Sequence, residues 1–389
     1  MNLFRKITLQ TAAALMLLSP STGTLLTGPA PAYAASSAVQ TPSIQYFLEN
    51  APIKRQGILY YPLKDIAPLL DLHVQWNKQT RSIEVTGITQ TAKLTLGSIK
   101  ASVKGGKTVS LGAAVFVNKG VAYAPASLFS KAFSIPVTLY NLKKKVISAA
   151  YQSHYVLASA GNSLFWLSRP DGVLYAGTSG QVPVRIGAIG GTEFDWVALS
   201  VQPTAKNTYL IHIDNAHGEP HINQDLYTII LHEGKIVRQA VMRYSIMFSD
   251  GYMYDNVKTF SGQIVLNDGH HLDLTTGAGD LVQSYNLDKI AGTTKEIYSV
   301  EAIGPEFFIM RQFSTGNPMI VNRKTLEAVS LYDLLFDPET AGKIKNRDAD
   351  YYNYRLKYTG CSGAVLHFTW AENSSSDSKI TELEYKLSF

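Results

Sequence analysis

The 389 residues contain a single cysteine, Cys361, so the chain can form no internal disulfide and no cysteine-rich metal site. Charge is sparse as well. Asp, Glu, Lys and Arg together make up 17%, and the formal net charge is +5. That balance excludes a disordered polyelectrolyte, a coiled coil and a dedicated polyanion binder, and no nucleic-acid partner is expected. Gly at 29 and Pro at 16 are ordinary counts, which excludes collagen-like or linker-dominated sequence. Beyond the first 35 residues no apolar run approaches the ~20 residues a membrane-crossing helix needs. Gly-x-Ser-x-Gly and His-x-His are both absent. What the chain does have is 46% hydrophobic residues and 22 tyrosines, a composition that leans toward β-structure.

The start reads as an address. Arg5 and Lys6 precede an apolar centre from Ala12 to Leu18, and Ala32-Tyr33-Ala34 forms an A-x-A pattern. This predicts a secretory signal peptide over 1–34, cleaved before Ala35, with 35–43 as a linker. The apolar centre is too short to span a bilayer, so no anchor is expected after cleavage. Cleavage leaves 33 basic and 30 acidic residues. An exported protein with one cysteine suits a Gram-positive type of host. The expected location is therefore extracellular or cell-wall associated.

Residues 58–85 and 121–148 repeat one grammar at an offset of 63. Tyr60 falls on Tyr123, Pro62 on Pro125, Val74 on Val137, Trp76 on Leu139 and Ile83 on Val146. Each copy predicts a short strand ending at a proline, an amphipathic helix (63–71 and 126–133), a strand, a polar turn and another strand. Ala92–Val103 alternates between the copies, and Gly105-Gly106 marks a turn before Thr108. Tyr61-Pro62-Leu63-Lys64 and Val74-Gln75-Trp76-Asn77 resemble the copper amine oxidase N-terminal-like (stalk) family. The second copy, with Ala124-Pro125-Ala126-Ser127 and Val137-Thr138-Leu139-Tyr140, keeps the pattern without the Trp or the acid. The resemblance covers 44–150 and implies an α+β accessory domain attached to a varied partner domain. It does not imply oxidase chemistry: the only Asn-Tyr, Asn353-Tyr354, is followed by Arg355.

From Tyr155 the helical period fades, and short apolar runs alternate with turn signals every 8–12 residues. Similar units recur at about 40–50 residues, the blade period of a β-propeller. Residues 151–389 are therefore expected to form a propeller of about five blades, with a sandwich or barrel as the alternative. Closure is expected to draw Tyr155–Ala158 or Leu383–Leu387 into a blade made from the other end of the domain. Leu331–Leu335, before Asp337-Pro338, reads as one short helix or turn between units.

Candidate chemistry is thin. His212, His217 and His221, with Asp214 or Glu219, match no strong metal spacing, and Gly218 and Pro220 suggest a loop. His270-His271 follows the turn signal Asn267-Asp268-Gly269. Cys361 sits in Gly360-Cys361-Ser362-Gly363, read as a tight turn with no evident activating base. Glu193, Asp195, Asp250, Asp255, Asp348 and Asp350 are scattered. Paired on a propeller axis, such carboxylates would serve a glycosidase. Gly105-Gly106 and Gly190-Gly191 open no helix and are not phosphate loops. Lys143-Lys144-Lys145 is a solvated turn that offers positive charge to anionic wall polymers. No catalytic, cofactor or metal residue is assigned. The reading is a monomeric, non-catalytic envelope or extracellular binding protein with a wall-polymer, carbohydrate or protein partner. A propeller-based carbohydrate-active hydrolase is the alternative.

Overall fold

Tyr60-Tyr61-Pro62 and Tyr123-Ala124-Pro125, the best-matched triplets of the repeat, lie side by side at the centre of one sheet. The structure is a computed structural model. It describes residues 44–191, 194–219, 222–245, 256–346, 355–371 and 379–388. Pro42–Phe389 forms one compact unit.

The first region runs β1 (Ile44–Phe47), β2 (Ile53–Arg55), β3 (Ile58–Pro62), α1 (Leu63–Ile66), β4 (His73–Asn77), β5 (Ser82–Thr86), β6 (Thr91–Thr95), β7 (Lys100–Val103), β8 (Thr108–Ser110), β9 (Phe116–Asn118), β10 (Val121–Pro125), α2 (Ser127–Phe133), β11 (Val137–Asn141) and β12 (Val146–Ala149). β3 pairs antiparallel with β10 so that Tyr61 faces Ala124, two positions the 63-residue offset makes equivalent. The flanking pairs, Tyr60 with Pro125 and Pro62 with Tyr123, are images of each other. The duplication is thus a two-fold relation about the Tyr61–Ala124 pair. Leu63, Ile66 and Leu70 of one copy and Leu128 and Phe129 of the other fill a shared core with Tyr61, Ile83, Leu94 and Ile147.

The two helices differ at a proline. The helix expected over 63–71 stops at Ile66 and continues as a 3-10 turn, Ala67–Leu70. Pro68 has no N–H to give, and its ring crowds the preceding turn. The second copy has no proline there, and α2 is continuous. Both end on the same device: Asp71 (φ 57°) and Ser134 (φ 60°) close their turns in the left-handed region. The alternating run Ala92–Val103 is two strands, β6 and β7. With β8 they extend the β4–β5 hairpin to the sheet β4-β5-β6-β7-β8, whereas β11–β12 gains only β1.

The second region is an array of five consecutive antiparallel sheets of β-propeller type. Blade one holds Tyr155–Ala160, Ser163–Ser168, Val173–Thr178 and Val184–Ala188. Blade two holds Trp196–Ala205, Thr208–His217, Asn223–His232 and Lys235–Ser245. Blade three holds Thr259–Phe260, Gln263–Asn267, His271–Thr275 and Leu281–Asn286, and α3 (Leu287–Ala291) follows it. Blade four holds Tyr298–Ile303, Phe307–Gln312, Pro318–Asn322 and Ala328–Ser330. α4 (Leu331–Leu335) and α5 (Pro338–Lys345) come next, so two helices stand where one was expected. Blade five holds Arg355–Ser362, Val365–Ala371 and Ile380–Lys386.

Apolar clusters join one blade to the next. Phe165 and Leu167 meet Ile211, Ile213 and Ile229. Leu210 and Ile230 meet Ile264 and Leu266. Leu272 and Leu274 meet Val300 and Phe308. Phe307 and Ile309 meet Leu366 and Phe368. Among the described residues no apolar cluster joins blade five to blade one, and every sheet of the array is made of strands consecutive in sequence. The expected exchange of a terminal strand between first and last blades is not the arrangement seen. The side of blade one away from blade two faces the duplicated module, where Trp166 Nε1 donates to the Asp71 carbonyl.

Candidate functional site

The module carries an open groove of about 850 Å³ on the face of β2-β3-β10-β9 away from its core. The groove is made by two matched hairpins. β2 and β3 are joined by Gln56-Gly57 (φ 49° and 80°), and β9 and β10 by Lys119-Gly120 (φ 49° and 80°). Two-residue turns with both φ positive twist the strands together, and glycine supplies the second position without strain. The repeat makes the hairpins equivalent, but the side chains they carry are not. Where β2 has Ile53, β9 has Phe116.

Phe116 organises the groove. Its ring stacks on Tyr123 at 5.5 Å and meets the Tyr60 ring edge-on at 4.9 Å. The Arg55 guanidinium lies 4.0 Å from the Phe116 ring centroid, a cation–π contact that holds the charge at the rim. Arg81, in the turn between β4 and β5, adds a second guanidinium to the lining, and Leu96 and Val117 add apolar surface. Among the described residues no carboxylate lines the groove. Aromatic faces beside fixed guanidinium groups suit a ligand with apolar or sugar faces and phosphate or carboxylate oxygens.

Among the described residues the histidines of the second region do not converge. His212 and His217 lie on one strand, Thr208–His217, not in a loop, and their odd separation turns them to opposite faces. His221 and Glu193, Asp250, Asp255, Asp348 and Asp350 lie outside the described residues. His212 Nδ1 is 3.3 Å from Thr228 Oγ1, and burial, with Lys258 nearby, pushes its pKa down to about 4. His217 Nε2 lies 3.4 Å from Asp225 Oδ1. Asp225 also accepts from Tyr227 Oη at 3.1 Å and faces Arg243 Nε at 3.5 Å. Burial first, then Asp225, raises the Tyr227 pKa. Gly191 (φ 91°) packs against this cluster, where a Cβ would come within 2.5 Å of Tyr227 Oη. Gly190-Gly191 is thus a packing device beside a buried carboxylate.

The remaining sequence candidates fall into structural roles. The amides of His270 and His271 donate to Asp268 Oδ1, as turn chemistry requires, and His270 Nδ1 faces Asp288 at 3.0 Å. Asp195 is exposed, and its carbonyl accepts from Arg169. Cys361 is exposed in the strand Arg355–Ser362, so the tight turn begins after it rather than around it. Lys143, Lys144 and Lys145 are exposed in the β11–β12 turn, and Lys145 Nζ donates to the Glu49 carbonyl.

Besides Asp225, three buried charges escaped the sequence reading. Asp71, 2% exposed, accepts from Tyr151 Oη (2.7 Å), Ser153 Oγ (2.5 Å), His154 N (2.7 Å) and Tyr155 N (3.2 Å). Its carbonyl accepts from Trp166 Nε1 at 3.2 Å. Arg311 pairs with Glu301 and donates to the carbonyls of Gly316 (2.7 Å) and Leu356 (2.6 Å), tying blade four to blade five. Glu296 accepts from Ile297 N (2.9 Å), Ser314 N (3.1 Å) and Ser314 Oγ. Each carboxylate is saturated by donors of its own fold. Tyr151, Ser314 and Leu356 come to Asp71, Glu296 and Arg311 from distant segments, and only a backbone-level contact map would have found them.

Residues 40–148 match the family model described as the copper amine oxidase N-terminal domain. That model is of the N-terminal domain, not the catalytic one, and the chain is not a copper amine oxidase. No curated protein matches the chain. Among solved structures the chain is similar to an endo-arabinase from Bacteroides thetaiotaomicron, at 9% identity over 82% of this chain and 94% of that one, with a TM-score of 0.23. A streptogramin B lyase is 8% identical over 91% and 90%, with a TM-score of 0.23. A chain of a nidogen–laminin complex is 11% identical over 77% and 95%, with a TM-score of 0.22.

Proposed function

We propose that the protein is an exported, non-catalytic binding protein of the bacterial cell envelope. On this reading the module (44–150) and the array (151–389) are its two domains, and the groove of the module takes an anionic wall polymer. The observation that carries the reading is the groove itself: Arg55 set over the Phe116–Tyr123 stack, Arg81 in the same lining, and no carboxylate among the described lining residues. Guanidinium groups bind phosphate oxygens bidentately, and the aromatic faces accept sugar rings. The signal-peptide pattern ending at Ala34 supports export, and the solvated Lys143-Lys144-Lys145 turn adds charge on the same module.

The test is retention of the chain beginning at Ala35 on purified cell walls, with and without their phosphate polymers. Binding is expected to need those polymers and to weaken at least tenfold in Arg55→Ala with Arg81→Ala. Equal retention by the double variant, or by walls stripped of polymer, would refute the groove as the binding site. Recovery of the intact Met1 form from cytosol alone would refute export.

A further inference from the structure

Blades one to four have four strands each; blade five has three among the described residues. Its last strand, Ile380–Lys386, pairs along its whole length with Val365–Ala371, and among the described residues no strand pairs with its other side. The hydrogen bond from Leu387 N to Ala364 O (2.8 Å) fixes which residues turn inward. Backbone polar groups alternate sides along an antiparallel strand. Tyr385, Leu383 and Thr381 therefore share the inward set with Leu387. Lys386, Glu384, Glu382 and Ile380 point their N–H and C=O groups at the open side. The side chains of those same four residues are the exposed ones on the strand. Leu383 and Tyr385, on the opposite face, pack against the core shared with blade four.

We propose that this edge takes a fourth strand from a partner protein, at a site separate from the module's groove. The segment it fits is extended and antiparallel, with Lys or Arg opposite Glu382 and Glu384, an acid opposite Lys386, and β-branched residues between. Main-chain hydrogen bonds supply the attachment, and the cross-strand charge pairs set register and direction. A second copy of this chain fits less well. Pairing about Leu383 sets Glu382 against Glu384 twice, and pairing about Glu384 sets that residue against its own image. His367 Nδ1, 3.2 Å from Glu384 Oε1, lies on the covered side and leaves the outer side of the carboxylate free.

The test uses the full chain from Ala35 and the labelled peptide Glu-Val-Lys-Val-Lys-Thr-Val, read by fluorescence anisotropy. Two controls accompany it: the same peptide with alternate amides N-methylated, and a peptide with every charge reversed. The basic peptide is expected to bind at least tenfold more tightly than either control. Glu382→Lys with Glu384→Lys is expected to invert the preference between the basic and reversed peptides, at an unchanged melting temperature. Equal binding of all three peptides, or none up to millimolar concentration, would overturn the proposal. So would a concentration-dependent dimer, seen by sedimentation, that excludes the peptide. The Arg55→Ala, Arg81→Ala variant should bind the peptide normally, which separates this edge from the wall-binding reading.

Discussion

The first and last blades face the same problem and solve it differently. A blade in the middle of the array has a neighbour on each face; an end blade lacks one. Ser163–Ser168 in blade one is buried on both faces. Phe165 and Leu167 pack on blade two, while Leu164 and Trp166 turn the other way, where Trp166 donates to the Asp71 carbonyl. Gln75 Nε2 donates to Asn162 at 2.7 Å and Gly180 N to Thr86 Oγ1 at 2.9 Å, so β4 and β5 help to cover the blade. The module occupies the place of a preceding blade. Among the described residues blade five has no such cover. Leu366, Phe368 and Trp370 are buried against blade four, whereas Val365, His367 and Thr369 are half-buried beside exposed Glu382 and Glu384. A strand buried on both faces needs a continuous apolar run, and one with a wet face needs strict alternation. The two sequences, Leu164-Phe165-Trp166-Leu167 and Leu366-His367-Phe368-Thr369-Trp370, are written accordingly.

This contrast can be broken or sharpened by substitution. The largest effect is expected from Trp166→Ala, which empties the covered face of blade one and should cost about 3–5 kcal/mol in chemical denaturation. Asp71→Ala strands four donors and should cost about 3 kcal/mol, with new proteolytic cleavage around residues 151–154. Acid should act next, through blade two. Burial holds the His212 pKa at about 4, below its unfolded value of 6.5. The native state thus binds fewer protons than the unfolded chain across that window. Stability attributable to this residue is full above pH 6.5 and falls as pH drops toward 4, by up to about 3 kcal/mol. His212→Gln should flatten that part of the stability–pH curve. The smallest effect belongs to the wet face of blade five: His367→Ala should stay within about 0.5 kcal/mol. A loss at His367 comparable to that at Trp166 would mean that blade five is covered after all.

Much of this plan was legible in the chain. The duplication and nearly every array strand follow from apolar periods and turn signals, because those signals are local. Leu281–Asn286 was not seen: Leu281, Val282, Gln283 and Ser284 are all exposed, so the strand carries no alternation to read. Pro68 announced the break in the first helix, but the amphipathic spacing of Leu63, Ile66, Ala67 and Leu70 hid it, since a 3-10 turn keeps nearly the same face. The groove residues Arg55 and Phe116 lie just upstream of each repeat copy. Carrying the alignment back through Gln56-Gly57 and Lys119-Gly120 would have exposed the matched hairpins. Asp71 and Arg311 gave no local sign, because their donors come from distant segments.

The β1–β12 pair has a mechanical consequence. Ile44 lies opposite Ala149 and Phe47 opposite Val146, so the strand where the chain enters the module lies against the one where it leaves. Tension applied between residue 44 and the array therefore loads both strands from the same end. The bonds of that pair would open one at a time, as a zipper does, rather than share the force in shear. Immediately past Ala149, however, the pull reaches Tyr151, Ser153, His154 and Tyr155, all anchored on one buried carboxylate. A stretched molecule would thus release its first strand easily and then meet a firm stop at Asp71, before any blade of the array carries load.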